Sequence, residues 1–141
     1  RMAGPDQPDL VIGSRWVPGG RINGWSHKRV ALSKAGNYYV RFCLGTPVRD
    51  ATAGLRLHRA AFLQDNDVLD RVATTGFGFQ VEMTELERSL GAVIAEVPIT
   101  FDERIAGESK LDSSIFIEEL VMVTKGGLGR VTQAARRAFS K

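Results

Sequence analysis

The chain predicts an α/β fold from three observations: a short apolar run closed by small residues at 10–14, a long helical period at 28–44, and a strand–helix–strand succession between 52 and 100. Strand and helix periods alternate along the chain, which is the pattern of helices packed on a sheet. Leu10, Val11 and Ile12, followed by Gly13 and Ser14, read as a strand buried on both faces. Residues 17–24, rich in glycine and carrying Pro18, read as a loop too flexible for regular structure.

From 28 to 44 the period is helical. Ala31, Ala35, Tyr38, Tyr39 and Phe42 share one face, while Arg29, Ser33 and Asn37 recur every four residues on the opposite one. Gly45 and Pro47 stop the helix. Residues 52–58 read as a strand with Leu55 and Leu57 on one side and Arg56 on the other, and 59–63 as a short helix. The clearest helix is 79–90: Phe79, Met83, Leu86 and Leu90 form one stripe, and Gly91 stands where a C-terminal cap belongs. Residues 92–100 alternate as a strand, which Pro98 places at an edge or a strand end. Ser113 or Ser114 can cap a final helix with Ile117, Leu120, Val121 and Thr124 inward, ended by Gly126 and Gly127.

The 141 residues make one domain's length of chain with an ordinary globular composition. Cys43 is the sole cysteine, so no disulfide or cysteine metal site forms within one copy; His27 and His58 are too few for a histidine cage. The net charge of +3 is unevenly placed. Arg15, Arg21, Lys28, Arg29, Lys34 and Arg41 crowd the first third, Arg130, Arg136, Arg137 and Lys141 load the tail, and acids cluster at 65–119. Two basic ends around an acidic middle point to an anionic ligand or membrane surface rather than a nucleic-acid duplex. No apolar run reaches the roughly eighteen residues that span a bilayer, and RMAGPDQPD lacks an apolar signal core. Met2 is not first and 5–8 reads as a linker, so the expectation is a piece of a longer protein.

Most familiar catalytic classes find no support. There is no G-x-S-x-G elbow, no spaced zinc-ligand set, and neither a Walker loop nor a dinucleotide G-x-G-x-x-G after a strand. What remains is a set of loop and strand-end arginines: Arg15, Arg29, Arg56 and Arg104. Arg15 follows the 10–14 strand at its carboxyl end, where open α/β sheets bind ligands; the alternative is a loop cation paired with an acid. Arg29 and Ser33, one turn apart near a helix start, can face one anionic group or form a solvated face. Asp50 opens DATAGLR and reads as a site acid or a turn residue after Pro47. Glu82, at the edge of the Phe79 stripe, is half-buried and wants a cationic partner, whereas Glu85 and Glu87 read as ordinary helix carboxylates. In FDERIAGESKL (101–111), Arg104, Gly107, Ser109 and Lys110 suit a bound phosphate; its three acids equally suit a solvated loop.

Five segments in order carry a resemblance: DLVIGSRWVPGG (9–20), GWSHKRVALSKAGN (24–37), RDATAGLRLHR (49–59), GFGFQVEM (76–83) and EVPITFDERIAGESKL (96–111). Together they resemble the dolichol- or polyprenol-phosphate mannosyltransferases, inverting glycosyltransferases of the GT-A type. The resemblance implies the carboxyl-terminal part of a GT-A fold, a mixed sheet flanked by helices, over 1–125, followed by a basic amphipathic tail at 126–141. It implies transfer of a mannosyl group from GDP-mannose to polyprenyl phosphate. In that scheme Arg104 and Asp50 are catalytic, and Arg15, Arg104, Ser109 and Lys110 hold the donor diphosphate. Arg29 and Ser33 take the acceptor phosphate, while Arg56 and Glu82 border the sugar and acceptor pocket.

The same resemblance implies a divalent metal, magnesium or manganese, with its ligands upstream in an amino-terminal half carrying a D-x-D motif. Asp65-Asn66-Asp67 has that spacing but not the strand-end position. The implied enzyme is peripheral at the cytoplasmic face of an anionic membrane, and these residues alone are not expected to turn over. Rival readings are a glucosyl or other hexosyl transferase, and a non-catalytic anion- or membrane-binding fragment. Nucleic acid is not an expected partner: Trp16 and Trp25 flank the first loop, but the basic residues lack aromatic interleaving.

Overall fold

A computed structural model describes residues 7–73 and 78–103. The expected final helix, the tail and the boundary between them lie outside these residues. In chain order the described elements are β1 (Leu10–Ser14), β2 (Arg21–Asn23), α1 (His27–Leu44), β3 (Arg56–His58), α2 (Ala60–Asp65), α3 (Val68–Arg71), α4 (Gly78–Ser89), β4 (Ile94–Pro98) and β5 (Thr100–Asp102).

β1 lies between its two partners, antiparallel to β3 and parallel to β4, so the sheet is mixed. β2 runs parallel to β5 in a second, two-stranded sheet. The two sheets are consecutive stretches of one parallel pairing. Ser14 stands opposite Pro98 and Arg21 opposite Thr100. Between them Ile99 N donates to Ser14 O at 3.1 Å, and Arg21 N donates to Ile99 O at 2.9 Å. Residues 15–20 therefore loop out of a ladder that closes again behind them. Gly20 is needed at the closure, because a Cβ there would meet Arg15 O at 2.6 Å. This corrects two expectations: part of the 17–24 loop is strand, and the 92–100 strand divides at Ile99. In both cases a distant partner supplies backbone hydrogen bonds that local composition does not reveal.

α1 is capped as its sequence requires. Ser26 Oγ accepts from Arg29 N, and Gly45 ends the helix in the left-handed region at φ 58°. The face it turns inward carries Asn37 from the polar line together with Val40 and Leu44, and Tyr39 packs at its margin. Asn37 is buried with Val40 and Leu44, whereas Tyr38 is 66% and Phe42 89% exposed. Asn37 can go inside because its amide is satisfied on both sides: Oδ1 accepts from Ala51 N at 2.8 Å and Nδ2 donates to Ser33 O at 2.9 Å. Val40 and Leu44 follow at helical spacing and join Leu10, Ile12, Val48, Ala51, Ala53 and Val81 in the core, with Cys43 packed at its margin.

Leu55, just before β3, and Leu57 on it are exposed, while Arg56 points inward. On α4, Val81, Met83 and Thr84 are buried, and Gly91 caps the end at φ 89°. Glu87 corrects the reading of it as an ordinary surface carboxylate: it is fully buried, with Oε1 2.7 Å from His58 Nδ1. Four residues past Met83 it falls within the buried arc of the helix, and His58 on β3 supplies the partner that a buried acid needs.

The inward face of α1 is directly testable by urea denaturation. Leu44→Ala is expected to lower unfolding free energy by about 2–5 kcal/mol. Phe42→Ala should change it by less than about 0.5 kcal/mol. The opposite order would return the aromatic stripe to the core.

Candidate active site

The looped-out residues 15–20 begin with Arg15, directly after β1 and at its carboxyl end. Arg15 reaches Asp50, which lies in the turn before Thr52. Nε donates to Asp50 Oδ2 at 2.7 Å and Nη2 to Asp50 Oδ1 at 2.6 Å, a two-pronged clamp. Arg15 N also donates to Oδ2 at 2.9 Å, and Nη2 reaches Thr52 Oγ1 at 3.1 Å. The Asp50 side chain is wholly buried and that of Arg15 is 10% exposed. Arg15 is thus a loop cation paired with an acid, at the carboxyl end of β1.

The turn carrying Asp50 is held from two further elements. Glu96 on β4 accepts from Arg49 N at 2.8 Å and from Asp50 N at 2.9 Å. Asn37 on α1 accepts from Ala51 N and lies 3.4 Å from Thr52 Oγ1. Neither Glu96 nor Asn37 was singled out from sequence as a site residue. The one available signal was that Asn37 continues the every-fourth-residue line of Arg29 and Ser33. An aromatic wall flanks the clamp: the Arg15 guanidinium lies 5.2 Å from the Trp25 ring centre and 5.9 Å from that of Phe101, and these two rings meet edge to face.

Arg29, in the first turn of α1, stacks on the same Trp25 ring at 4.2 Å and pairs through Nη1 with Glu103 Oε1. Trp25 therefore brings Arg15 and Arg29 to one aromatic surface. Ser33 lies one turn on, half-buried on the same inward line. Arg56 is directed elsewhere. Nε donates to Ala53 O at 2.8 Å, Nη2 to Ala51 O at 2.6 Å, and Nη1 to Gln80 O at 2.9 Å and Thr84 Oγ1 at 2.5 Å. It ties the Asp50 turn to α4 from behind. Burial pushes its guanidinium down to about 10, against the upward pull of Glu87, Asp50 and Glu96, so it stays charged at neutral pH.

Glu82 is half-buried, as its stripe position implies, and accepts from Ala73 N at 3.2 Å. Arg104, Ser109 and Lys110 lie outside the described residues, although β5 and Glu103 bring the chain to the aromatic wall just before Arg104. Among the described residues no three acidic, histidine or cysteine side chains group to hold a metal ion. The ligands of the divalent ion that the resemblance implies are expected upstream of these residues.

No protein-family model matches the chain. Its curated relatives include one named as a mannosyltransferase and one named as a monophosphomannose synthase. The chain is 50% identical over 120 residues to the undecaprenyl-phosphate mannosyltransferase of Micrococcus luteus, covering 85% of this chain and 49% of that protein. It is 42% identical over 127 residues to the polyprenol monophosphomannose synthase of Mycolicibacterium smegmatis, covering 89% of this chain and 48% of the relative. Over most of its length this segment is similar to the proteins that carry these two names. It spans about half the length of the curated relatives it matches.

The clamp is expected to be a structural keystone. Asp50→Ala leaves the Arg15 guanidinium without its carboxylate and should destabilise the protein by about 3–5 kcal/mol. Ser33→Ala, whose hydroxyl makes no bond to the clamp among the described residues, should cost less than about 1 kcal/mol. Equilibrium unfolding in urea measures both.

Proposed function

We propose that this chain forms part of an enzyme that transfers a mannosyl group from GDP-mannose to polyprenyl phosphate, with inversion at the sugar. The observation that carries this reading is the 50% identity to a mannosyltransferase of undecaprenyl phosphate. The geometry supports it, since Arg15 and Arg29 share one aromatic wall beside the segment leading to Arg104.

The chemistry suits such a site. A phosphate monoester is already an anionic nucleophile, so one of its oxygens can attack the anomeric carbon without a strong general base. The bond from that carbon to the donor diphosphate breaks as the new one forms on the opposite face. The nucleotide diphosphate leaves with the bonding electrons, and stabilising its charge is the demanding part. In this reading Arg29 and Ser33 position the acceptor phosphate, and the Arg15–Asp50 clamp holds the strand end rigid beside it. Arg104, with Ser109 and Lys110, meets the leaving diphosphate, while Arg56 fixes the pocket's rear wall and Glu82 its margin. A divalent metal would add to charge stabilisation, with its ligands in an amino-terminal half. That half has a surface to cover: Leu55, Leu57, Val93 and Val97 are exposed on the sheet strands and their margins.

Among the described residues no helix is long and apolar enough to cross a membrane. α1 presents Leu32, Tyr38 and Phe42 to solvent beside exposed Lys28 and Lys34, which suits peripheral attachment to the anionic cytoplasmic face.

The full-length enzyme should form polyprenyl-phosphate mannose from GDP-mannose and no glucosyl product from UDP-glucose. Arg104→Ala should lower kcat by about 10²–10³-fold. Product chromatography with both donors decides between mannosyl and glucosyl transfer. In liposome flotation the protein should rise with vesicles containing anionic lipid and stay behind with neutral ones, whereas equal flotation would remove the electrostatic attachment.

A further inference from the structure

The looped-out residues 15–20 and α1 enclose a cleft of about 690 Å³, within the size range of small-ligand pockets. Five cations line it: Arg15, Arg21, Lys34, Arg41 and Arg49, with no acidic residue among the lining side chains. Arg15 is neutralised by Asp50. The other four differ from the arginines around them. Arg29, Arg59 and Arg88 pair with Glu103, Asp9 and Glu85. Among the described residues, Arg21, Lys34, Arg41 and Arg49 make no ion pair.

Two side chains are also set as if around something. Arg41 Nε is out of water with no hydrogen-bond acceptor among the described residues, and Lys34 Nζ is held 5.1 Å from the Trp16 ring centre. A low-dielectric concavity lined by charges of one sign focuses their field and concentrates counter-ions. The guanidinium fork matches phosphate oxygens in particular.

We propose that this cleft is a phosphate-binding site, formed by Arg21, Lys34, Arg41 and Arg49, in addition to the Arg29 and Ser33 pair. Four charges without an ion pair among the described residues exceed the roughly −1.5 to −2 of a single phosphate monoester. The cleft is therefore matched to a diphosphate or to two neighbouring phosphate groups. Free and lipid-borne phosphates share this chemistry. The inference rests on the cleft's own charge and does not require mannosyl transfer.

The test is calorimetric titration of the full-length protein with inorganic phosphate and with pyrophosphate. Pyrophosphate should bind at least tenfold more tightly than phosphate, with an affinity that falls as salt rises. Arg21 and Arg49 are exposed, so the double variant Arg21→Gln/Arg49→Gln should keep its fold, checked by circular dichroism, and lose tenfold or more in pyrophosphate affinity. Arg71→Gln, on α3 and outside the cleft, should bind as the parent does. Displacement of pyrophosphate by a short-chain prenyl phosphate would assign the site to that lipid, and displacement by phosphatidylglycerol micelles to phospholipid; either supports it. Absence of saturable pyrophosphate binding, or unchanged affinity in the double variant, overturns it. Loss of binding with mannosyl transfer intact would separate this cleft from the transfer site, and a protein without transferase activity that still binds pyrophosphate through these residues would leave the cleft standing.

Discussion

A single carboxylate, Asp50, joins the parts of this structure that have no other reason to meet. It receives Arg15 from the segment after β1 in a bidentate pair, while the backbone beside it is held by Glu96 from β4 and Asn37 from α1. A buried acid is tolerable only when its charge is matched and its lone pairs are occupied. Both conditions are met at Asp50 by the guanidinium and backbone amide of Arg15 and by the Thr52 hydroxyl. The consequence is positional: the carboxyl end of β1, the start of the looped-out segment and the middle of α1 are fixed relative to one another.

A second polar assembly lies behind the first. Arg56 donates to Ala51 and Ala53 on the Asp50 turn and to Gln80 and Thr84 on α4, while Glu87 on the same helix meets His58 on β3. The apolar core is made largely of small and medium side chains, among them Ala51, Ala53 and Val81. Directional hydrogen bonds to fixed carbonyls then set the orientation of α4 more tightly than nonspecific apolar contact would. The cleft shows the converse. Arg21, Lys34, Arg41 and Arg49 have no carboxylate partner among the described residues, whereas Arg15 and Arg29 beside them do, and that contrast separates charge used for architecture from charge available to a ligand.

Much of the architecture was legible in the residues. Leu10 to Ser14, the helix ended by Gly45 and the helix ended by Gly91 were marked by period and by caps, which act over a few residues. Arg15 and Asp50 were both recognisable as site candidates, one from its strand-end position and the other from the segment that opens DATAGLR. Their pairing was not legible, because 35 residues separate them and nothing local links the two. The same holds for Arg21–Asn23, whose strand character comes from β5, and for Glu87, which looks like a surface acid until β3 brings His58 beside it.

By itself, the sequence determined the order and type of the principal elements, the points where the long helices stop, and the ordered segments that tie the chain to its relatives. Those features depend on backbone preference and on side-chain period, both of which are properties of neighbouring residues. Only the tertiary structure decided which face of α1 turns inward. Side-chain period separates the two faces without ranking them, and in the fold Asn37 is buried while Phe42 is out in solvent. The physical reason is that a polar side chain can be buried once its partners are in place. The partners of Asn37 are the amide of Ala51 and the hydroxyl of Thr52, which reach it only when the whole chain has folded.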